Sequence, residues 1–406
     1  SMKKILSVAT VFALLVVGAV SAKAAVDLGN GYSLNGTGNI SFYGATLTPG
    51  ADGEENSTIN EESYRFELYL NKAFDNGGRA VLRLRSGDRE GSASGFGFFR
   101  PTINDQNFGG VAAPTDNGII IRELYYQQPL FEKLVYFKVG KMQPATSGNN
   151  GGNSVGSFFT DDATVQNVDG VLGSYGVEFG MSPIDILTIS YSFLGQSAGN
   201  TNDKSEGLFS HGYHTVLLTA QPIEKGNYRL GFWYSDIKRS AIVKAGESAE
   251  EPTGSNGVFF SADQVVADNF QLFARFGIRL DKTVGTGAHY DPTDENKDYK
   301  PGQAGMDWQI GTTIFGALWG RAADSFFIGI GQASAQSDYC AEILNDFDSP
   351  SAEMHIEANY SFSLAPGISL TPFFQYVSNI YSYHKNKSDI VYDSGMAYGI
   401  RTQIKF

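Results

Sequence analysis

Charged residues occupy alternate positions in two neighbouring segments of the chain. Arg65 and Glu67 alternate with apolar residues in "SYRFELYL", and Arg83 and Arg85 do so in "RAVLRLRSG". Alternate side chains of a β-strand point to the same face of its sheet. A guanidinium offers several fixed N–H donors and a carboxylate offers only acceptors, so such a set can hydrogen-bond hydroxyl groups in pairs. The spacing therefore predicts one polar surface that can bind hydroxyl groups.

Aromatic residues and further polar residues belong to the same surface. Tyr69 in the first segment and Trp233 and Phe273 in later ones bring aromatic rings, which can stack on the apolar faces of sugars. Charges of both signs are mixed, so the set does not indicate a strict ion filter. For each residue taken alone, the alternative is a solvated side chain without a specific role. The further candidates are Arg229, Trp233, Arg275, Arg279, Gln309, Glu353, Glu357, Gln375 and Arg401.

The elements that must position these residues are β-strands, because apolar and polar residues alternate with a period of two. Adjacent Arg122 and Glu123 break the pattern, and one of them points to the apolar face unless a β-bulge intervenes. Sixteen segments of the chain show this alternation of polar and apolar residues. They lie near 38–48, 61–72, 79–89, 117–128, 132–142, 171–180, 184–195, 210–221, 226–237, 254–264, 268–281, 302–316, 323–337, 352–362, 367–379 and 388–406.

The connections between these segments alternate between short turns and long polar loops. This alternation and the even strand count predict an all-β fold, a transmembrane antiparallel β-barrel of about 16 strands with short periplasmic turns and long extracellular loops. In hydrocarbon the sheet must close, so its apolar face meets lipid and its polar face lines a wide aqueous lumen. The alternative, a soluble β-sandwich, does not predict the ordered alternation of loop lengths.

The N-terminus predicts export. Lys3 and Lys4 precede the apolar run "ILSVATVFALLVVGAV" and the small-residue stretch "SAKAA", which together are typical of a secretory signal peptide. We predict cleavage after Ala24, so that residues 1–24 are the signal and residues 25–406 are one barrel domain in a Gram-negative outer membrane. A retained membrane anchor is the alternative, although the run is short for one. Ser1 is interpreted as a cloning remnant.

Composition argues against several other classes of protein. The formal net charge is −13 and only 18% of residues are charged, so no basic surface for nucleic acid is expected. The lone Cys340 excludes an internal disulfide. None of the five histidines shows a catalytic or metal-binding motif, and His211 and His214 should fall on opposite faces of a strand. No enzyme activity, cofactor or metal site is predicted.

Two further features bear on pore width and on assembly. The third long loop is polar and rich in Gly and Asn, and such a loop is usually functional or mobile. If it folds into the barrel, it places Phe158, Phe159, Asp161 and Asp162 at a constriction; the alternative is an exposed loop. The chain ends in "AYGIRTQIKF", an alternating strand that closes on the aromatic residue Phe406.

Several segments resemble the carbohydrate-selective (OprB-type) outer-membrane porins. The resemblance rests on "RELYYQQPLFEKLVYFKVGKM", "GNYRLGFWYSD", "NFQLFARFGI", "WQIGTTIFGALWGRAADSFFIGIG" and "AEMHIEANYSFSLAPGISLTPFFQYVSN", in which "FARFG" and "GRAAD" are the most specific pieces. It implies a passive channel for monosaccharides and small oligosaccharides. The alternatives are a general or ion-selective diffusion porin and, further away, an adhesin or a barrel hydrolase.

The resemblance also implies the partners of the chain. Membrane lipid and lipopolysaccharide surround such a barrel, and small sugars pass through it. The terminal aromatic Phe406 is the kind of residue that the barrel assembly machinery recognises in outer-membrane barrels. Many porins are homo-oligomers, but the sequence leaves the oligomeric state open.

Overall fold

The structure is a computed structural model, and it describes residues 25–49, 57–88, 119–143, 174–196, 211–239, 253–280, 304–335, 352–378 and 392–406. Almost all of these residues are in β-strands. The strands are β1 Val26–Gly29, β2 Tyr32–Pro49, β3 Ser57–Ala73, β4 Arg79–Asp88, β5 Ile119–Leu130, β6 Val135–Met142, β7 Ser174–Ile184, β8 Leu187–Gln196, β9 His211–Ala220, β10 Gly226–Arg239, β11 Thr253–Ala267, β12 Phe270–Arg279, β13 Ala304–Phe315, β14 Ser325–Ala335, β15 Glu353–Ala365, β16 Ile368–Ser378 and β17 Tyr392–Lys405.

The sixteen strands β2 to β17 form a closed antiparallel barrel. Each strand pairs with the next along the chain, and β17 pairs with β2 over the register from Tyr392↔Pro49 to Lys405↔Thr37. This confirms the predicted architecture, and each of the sixteen predicted segments overlaps one strand. The short β1 forms a hairpin with β2 and was not predicted, because four residues are too few to display a period of two.

The sheet also begins earlier than the alternation indicates. β2 starts at Tyr32 rather than near residue 38, because residues 32–37 also pair with the last residues of β3, beginning with Tyr32↔Lys72. Within the described residues, no helix is long and apolar enough to cross a membrane.

The two faces of the barrel wall differ as the alternation predicts. Side chains on the outer face are apolar and exposed in the isolated chain, as in Leu68, Phe179, Ile310 and Ile400. Their neighbours in sequence point inward and are largely polar and buried, as in Glu67. An exposed apolar band around a closed barrel is stable in hydrocarbon, which removes the cost of exposing it to water.

The seam between the last and first spanning strands is closed by the end of the chain. The backbone N–H of Phe406 donates to the carbonyl of Gly36 at 3.1 Å, and the Gly36 N–H donates to the Phe406 carbonyl at 2.9 Å. The Phe406 ring lies over Gly36, where a Cβ atom would be only 2.6 Å from it. The glycine is therefore needed for this close approach.

Candidate functional site

The inner face of the barrel carries the residues that the sequence analysis singled out. Strand register places Arg65 and Glu67 of β3 beside Gly87 and Arg85 of β4, and the later candidates lie inward on β10, β12, β13, β15, β16 and β17. The side chain of Glu353 lies outside the described part of the structure. The candidates fall into three groups, which are described in turn.

The first group, called the carboxylate hub here, consists of Glu67, Tyr69, Arg83, Arg85 and Glu123. Arg83 Nη2 donates to both oxygens of Glu67 at 3.0 and 2.9 Å, and Arg85 Nε donates to Glu67 Oε1 at 2.6 Å. The Tyr69 hydroxyl donates to Glu67 Oε2 at 2.8 Å. Arg83 also bonds Glu123 Oε1 through Nη1 at 2.6 Å, so one guanidinium joins two carboxylates.

A β-bulge brings Glu123 into the hub and resolves the ambiguity at Arg122. Arg83 pairs with Glu123, but the next residue of β4, Leu84, pairs with Ile121, so the register shifts by one residue at Arg122. One extra residue on β5 thus lets both charged side chains lie on the inner side, and Arg122 is 6% exposed. Outward positions stay apolar, because Ile121 remains on the lipid face.

The hub holds its charges rigidly. Glu67 is 7% exposed and Arg85 is 6% exposed, and buried charges are tolerated only when they are paired and hydrogen-bonded. The charge-assisted hydrogen bonds from Arg83 Nη2 fix both oxygens of Glu67, and the guanidinium of Arg83 lies 5.0 Å from the centroid of the Tyr69 ring. The hub therefore offers a fixed pattern of donors and acceptors to the lumen.

The second group lies half the ring away, on β9 to β13, and begins with Trp233. Trp233 of β10 faces Gly257 of β11, which in turn faces Arg279 of β12. A Cβ atom at Gly257 would be 2.7 Å from Trp233 Nε1, so the glycine lets the indole lie across the wall. Above Gly257 the Arg279 guanidinium lies 5.7 Å from the indole centroid in a cation–π contact.

Apolar side chains also point inward around Trp233. Tyr213 stacks on it with ring centroids 6.0 Å apart. The two belong to a buried cluster on the inner face, whose other members are Met142, Leu194, Leu217 and Phe259. The wall on this side is therefore an apolar surface edged by polar groups, a combination that suits ligands with one apolar and one hydroxylated face.

The polar edge of this region is called the donor strip here: Thr215, Trp233, Ser255, Arg275 and Gln309. Arg275 is 2% exposed, and its only hydrogen bond within the described structure is a long one of 3.4 Å from Nη1 to Gln309 Oε1. Its Nε and Nη2 atoms have no protein acceptor there. The same is true of Trp233 Nε1, Gln309 Nε2 and the hydroxyls of Thr215 and Ser255.

A buried donor without a partner costs about 1–3 kcal/mol, so such groups are normally satisfied by water or by a ligand. The strip concentrates several of them on one side of the lumen. A molecule rich in hydroxyl groups would satisfy them, and this separates the strip from the hub, in which Arg83 Nε is the one such donor among the described residues.

The third group centres on Glu357 of β15. Gln375 Nε2 donates to Glu357 Oε2 at 2.7 Å, and Asn359 Nδ2 donates to Glu357 Oε1 at 2.8 Å. Arg401 lies on the inner face of β17, opposite Thr371 and Ser41. This wall is polar and fully enclosed, with Glu357 and Gln375 at 0% exposure.

Sequence reasoning missed several inward residues. Asp263 and Asp307 are buried beside the donor strip at 5% and 1% exposure. Asp307 lies two positions before Gln309 in β13, so the period of two could have found it. Asp263 lies in "FFSADQVV", where inward Phe259 and Val265 hide the alternation. The inward apolar cluster could not be predicted in this way, because apolar residues on the polar face interrupt the alternation of polar and apolar residues by which strands are recognised.

Other sequence-level candidates lie outside the described residues or stay apart. Phe158, Phe159, Asp161 and Asp162 are outside the described part of the chain. His211 points inward and His214 outward, where the His214 Nδ1 atom and the Tyr191 hydroxyl are 2.8 Å apart. Within the described ranges, no three His, Cys, Asp or Glu side chains come together as a metal site.

Comparison with known proteins agrees with this architecture. The family model described as carbohydrate-selective porin, OprB family, matches residues 105–406. OprB of Pseudomonas putida, in its high-pH structure, superposes with a TM-score of 0.71 at 15% identity, covering 93% of this chain and 94% of that one. The outer-membrane channel DcaP of Acinetobacter baumannii gives 0.52 at 12% identity, covering 94% and 100%. No curated protein sequence matches significantly.

Proposed function

The chain belongs to the OprB family of carbohydrate-selective porins, and from this premise we propose that the donor strip and the carboxylate hub together bind sugars in transit. The family match over more than half of the chain makes the protein an outer-membrane channel for carbohydrates. The proposal concerns the residues that carry the selectivity, and the single observation behind it is the set of buried, unpaired donors around Arg275.

A sugar that enters a narrow lumen loses part of its hydration, so side chains must replace those hydrogen bonds. Arg275 and Gln309 supply unsatisfied N–H donors, and Trp233 adds an indole N–H that also has no protein acceptor in the described structure. Several shallow contacts also let the sugar leave, since a channel site must bind weakly enough to release its substrate.

The hub plays a different part in this proposal. Its charges are paired, so the wall that it forms carries no large excess of positive or negative charge. Such a wall favours the passage of neutral solutes rather than the selection of ions by charge. Arg65, Arg229, Arg279, Glu357 and Gln375 extend that wall around the lumen. Which sugar fits best follows from the width that these walls leave between them.

The test is sugar-dependent block of ion conductance in planar bilayers, with glucose and maltose at matched salt. Arg275→Ala should weaken the block by about three- to tenfold, the equivalent of one or two net hydrogen bonds. Ion conductance should persist or rise because the pore is wider. The double variant Arg83→Ala with Arg275→Ala should lower the anion preference further, because two positive charges are lost.

Arg79→Ala is the matched control. Arg79 is an inward arginine at the periplasmic end of β4, exposed and bonded to Gln127, so its loss should leave the block unchanged. If neither sugar changes the wild-type conductance, the chain is a general or ion-selective diffusion porin instead. If sugars block the wild type and Arg275→Ala equally, selectivity lies elsewhere in the lumen.

We extend the proposal to the loop between β6 and β7, which carries Phe158, Phe159, Asp161 and Asp162. Folding of this loop into the lumen would narrow the pore. Replacement of Phe158 and Phe159 by alanine should then raise single-channel conductance, and an unchanged conductance would assign the loop to the outer surface.

We also propose export with cleavage after Ala24 and assembly through the C-terminal aromatic Phe406, either as a monomer or as a homo-oligomer. N-terminal sequencing of the protein from outer membranes tests the cleavage site. A mature chain that begins at a residue other than Ala25 would contradict it, and cross-linking in membranes reports the oligomeric state.

A further inference from the structure

The Arg275 guanidinium holds a positive charge inside the barrel wall without a bonded carboxylate. It is 2% exposed, and its one hydrogen bond among the described residues runs from Nη1 to the neutral amide oxygen of Gln309 at 3.4 Å. Its Nε and Nη2 atoms have no acceptor there. Buried charges are normally paired and hydrogen-bonded, because an isolated charge loses its hydration without compensation. An anion is the partner that this guanidinium lacks.

The two atoms without an acceptor form one edge of the Arg275 guanidinium. The N–H groups of Nε and Nη2 point in the same direction, whereas Nη1, which bonds Gln309, lies on the other side of the group. A planar edge of this kind binds two oxygens of one group at once, which is the arrangement that carboxylates and phosphates present. The free edge of Arg275 is therefore shaped for an anion with two oxygens.

Two aspartates lie near Arg275 but do not bond to it. Asp263 of β11 pairs with Phe273 and Asp307 of β13 pairs with Gly277, so each lies diagonal to Arg275 in the register. Neither accepts a hydrogen bond from the free edge. Their charges weaken the attraction of Arg275 for an anion without removing it. A channel needs this balance, because its sites must release the substrate that they bind.

The charges on this part of the wall favour a carboxylate over a phosphate. The described inward side chains of β10 to β13 carry three positive charges and two negative ones. A carboxylate brings one negative charge and balances the remaining positive charge. A phosphate monoester carries about −1.5 to −2 charges at neutral pH and leaves negative charge in excess. The five residues counted are Arg229, Asp263, Arg275, Arg279 and Asp307.

Groups that can bind the hydroxyls of a sugar flank Arg275 on both sides. Ser261 of β11 and Gln309 of β13 are its partners in the register. Gln309 Nε2 has no acceptor among the described residues, so a sugar hydroxyl can accept a hydrogen bond from it. The row Ser261, Arg275 and Gln309 thus suits a molecule that carries both a carboxylate and hydroxyl groups.

We propose that Arg275 binds the carboxylate of acidic sugars, such as hexuronates and aldonates, in the lumen. The inference rests on the proposed function, because Arg275 and Gln309 belong to the donor strip, and it names the class of sugar that the strip prefers. The carboxylate oxygens accept from Nε and Nη2 of Arg275, and a hydroxyl of the same molecule accepts from Gln309. Low exposure strengthens the ion pair, since little water competes for it. The charge-balanced hub does not repel such a solute.

The experiment compares glucuronate, its methyl ester and glucose as blockers of ion conductance in planar bilayers, at neutral pH and matched salt. Glucuronate and its ester share the ring and the hydroxyls, so the ratio of their blocking concentrations reports the effect of the charge. In the wild type, glucuronate should block at about a five- to tenfold lower concentration than the ester, because charge-assisted hydrogen bonds are roughly twice as strong as neutral ones.

Variants of Arg275 separate its charge from its geometry. Arg275→Gln should bring the ratio close to one, because glutamine has neither the charge nor the paired N–H edge. Arg275→Lys keeps the charge without that edge and should retain a preference of about two- to threefold. Arg79→Gln is the matched control: it removes an equal charge from the periplasmic end of the inner face and should leave the ratio unchanged. Heat-modifiable gel mobility confirms that each variant is folded.

Several outcomes would overturn the inference. Equal block by glucuronate and its ester in the wild type shows that Arg275 holds no carboxylate; the proposed function survives if glucose still blocks, and it fails too if none of the three solutes does. A ratio that Arg275→Gln leaves unchanged, or that Arg79→Gln lowers equally, assigns the preference to the overall charge of the lumen. Stronger block by glucose 6-phosphate than by glucuronate assigns the site to phosphates.

Discussion

Replacement of Glu67 by glutamine should be the most destabilising single change in the carboxylate hub. Glu67 accepts hydrogen bonds from Arg83, Arg85 and Tyr69, whereas its neighbour Glu123 accepts one from Arg83. Glutamine keeps the size and one acceptor of the side chain, but it removes the charge and turns the second oxygen into a donor. Two guanidinium groups then face each other without the carboxylate between them.

The magnitude follows from the number and burial of the partners. Removing one member of a buried ion pair costs about 3–5 kcal/mol, and Arg85 is 6% exposed. The amide oxygen still accepts one bond, so we expect a loss of about 3 kcal/mol for Glu67→Gln. For Glu123→Gln we expect about 1 kcal/mol, because the single bond from Arg83 then goes to a neutral amide oxygen instead of a carboxylate. The difference should be about 2 kcal/mol.

The assay is reversible unfolding by urea of the protein in lipid vesicles, in which heat-modifiable gel mobility measures the folded fraction. Glu67→Gln, Arg85→Gln and the double variant form a thermodynamic cycle, and a coupling free energy above about 1 kcal/mol is expected between residues that share a buried bond. If Glu67→Gln destabilises the barrel no more than Glu123→Gln does, the hub is solvated and its hydrogen bonds carry little stability.

Three further predictions concern the outer face, the seam and the periplasmic turn. Leu84→Lys on the lipid face should destabilise the barrel by roughly 2–4 kcal/mol while Leu84→Val is tolerated, and equal unfolding midpoints would contradict this orientation. Deletion of Phe406 removes two backbone hydrogen bonds at the seam and should lower the yield of heat-modifiable barrel, so a normal yield would count against a role in closure. In the turn between β13 and β14, the hydrogen bond from Arg321 lowers the pKa of Asp324 from 3.8 to about 2. This turn should therefore stay intact above about pH 4 and loosen as the pH falls through about 2, whereas in Asp324→Asn it should be loose at every pH. Trp319 fluorescence in a Trp233→Phe, Trp308→Phe background reports the change.

The alternation of residues determined the architecture by itself. A period of two follows from the geometry of an extended chain, and a membrane-spanning sheet must close on itself because hydrocarbon offers no partner for backbone groups. Each of the sixteen predicted segments is therefore a strand, and the inward direction of Arg65, Arg83 and Arg275 follows directly. The resemblance in "FARFG" and "GRAAD" to the carbohydrate-selective porins likewise agrees with the family match.

The tertiary structure alone decided which inward residues act together. The bulge at Arg122 depends on how β5 pairs with β4, and a local period cannot reveal a shift of register between two strands. The close approach of Trp233 and Arg279 depends on Gly257 in the strand between them, about twenty residues from each in sequence. Register between strands is set by the closed ring as a whole, so the hub and the donor strip exist only once the barrel has closed.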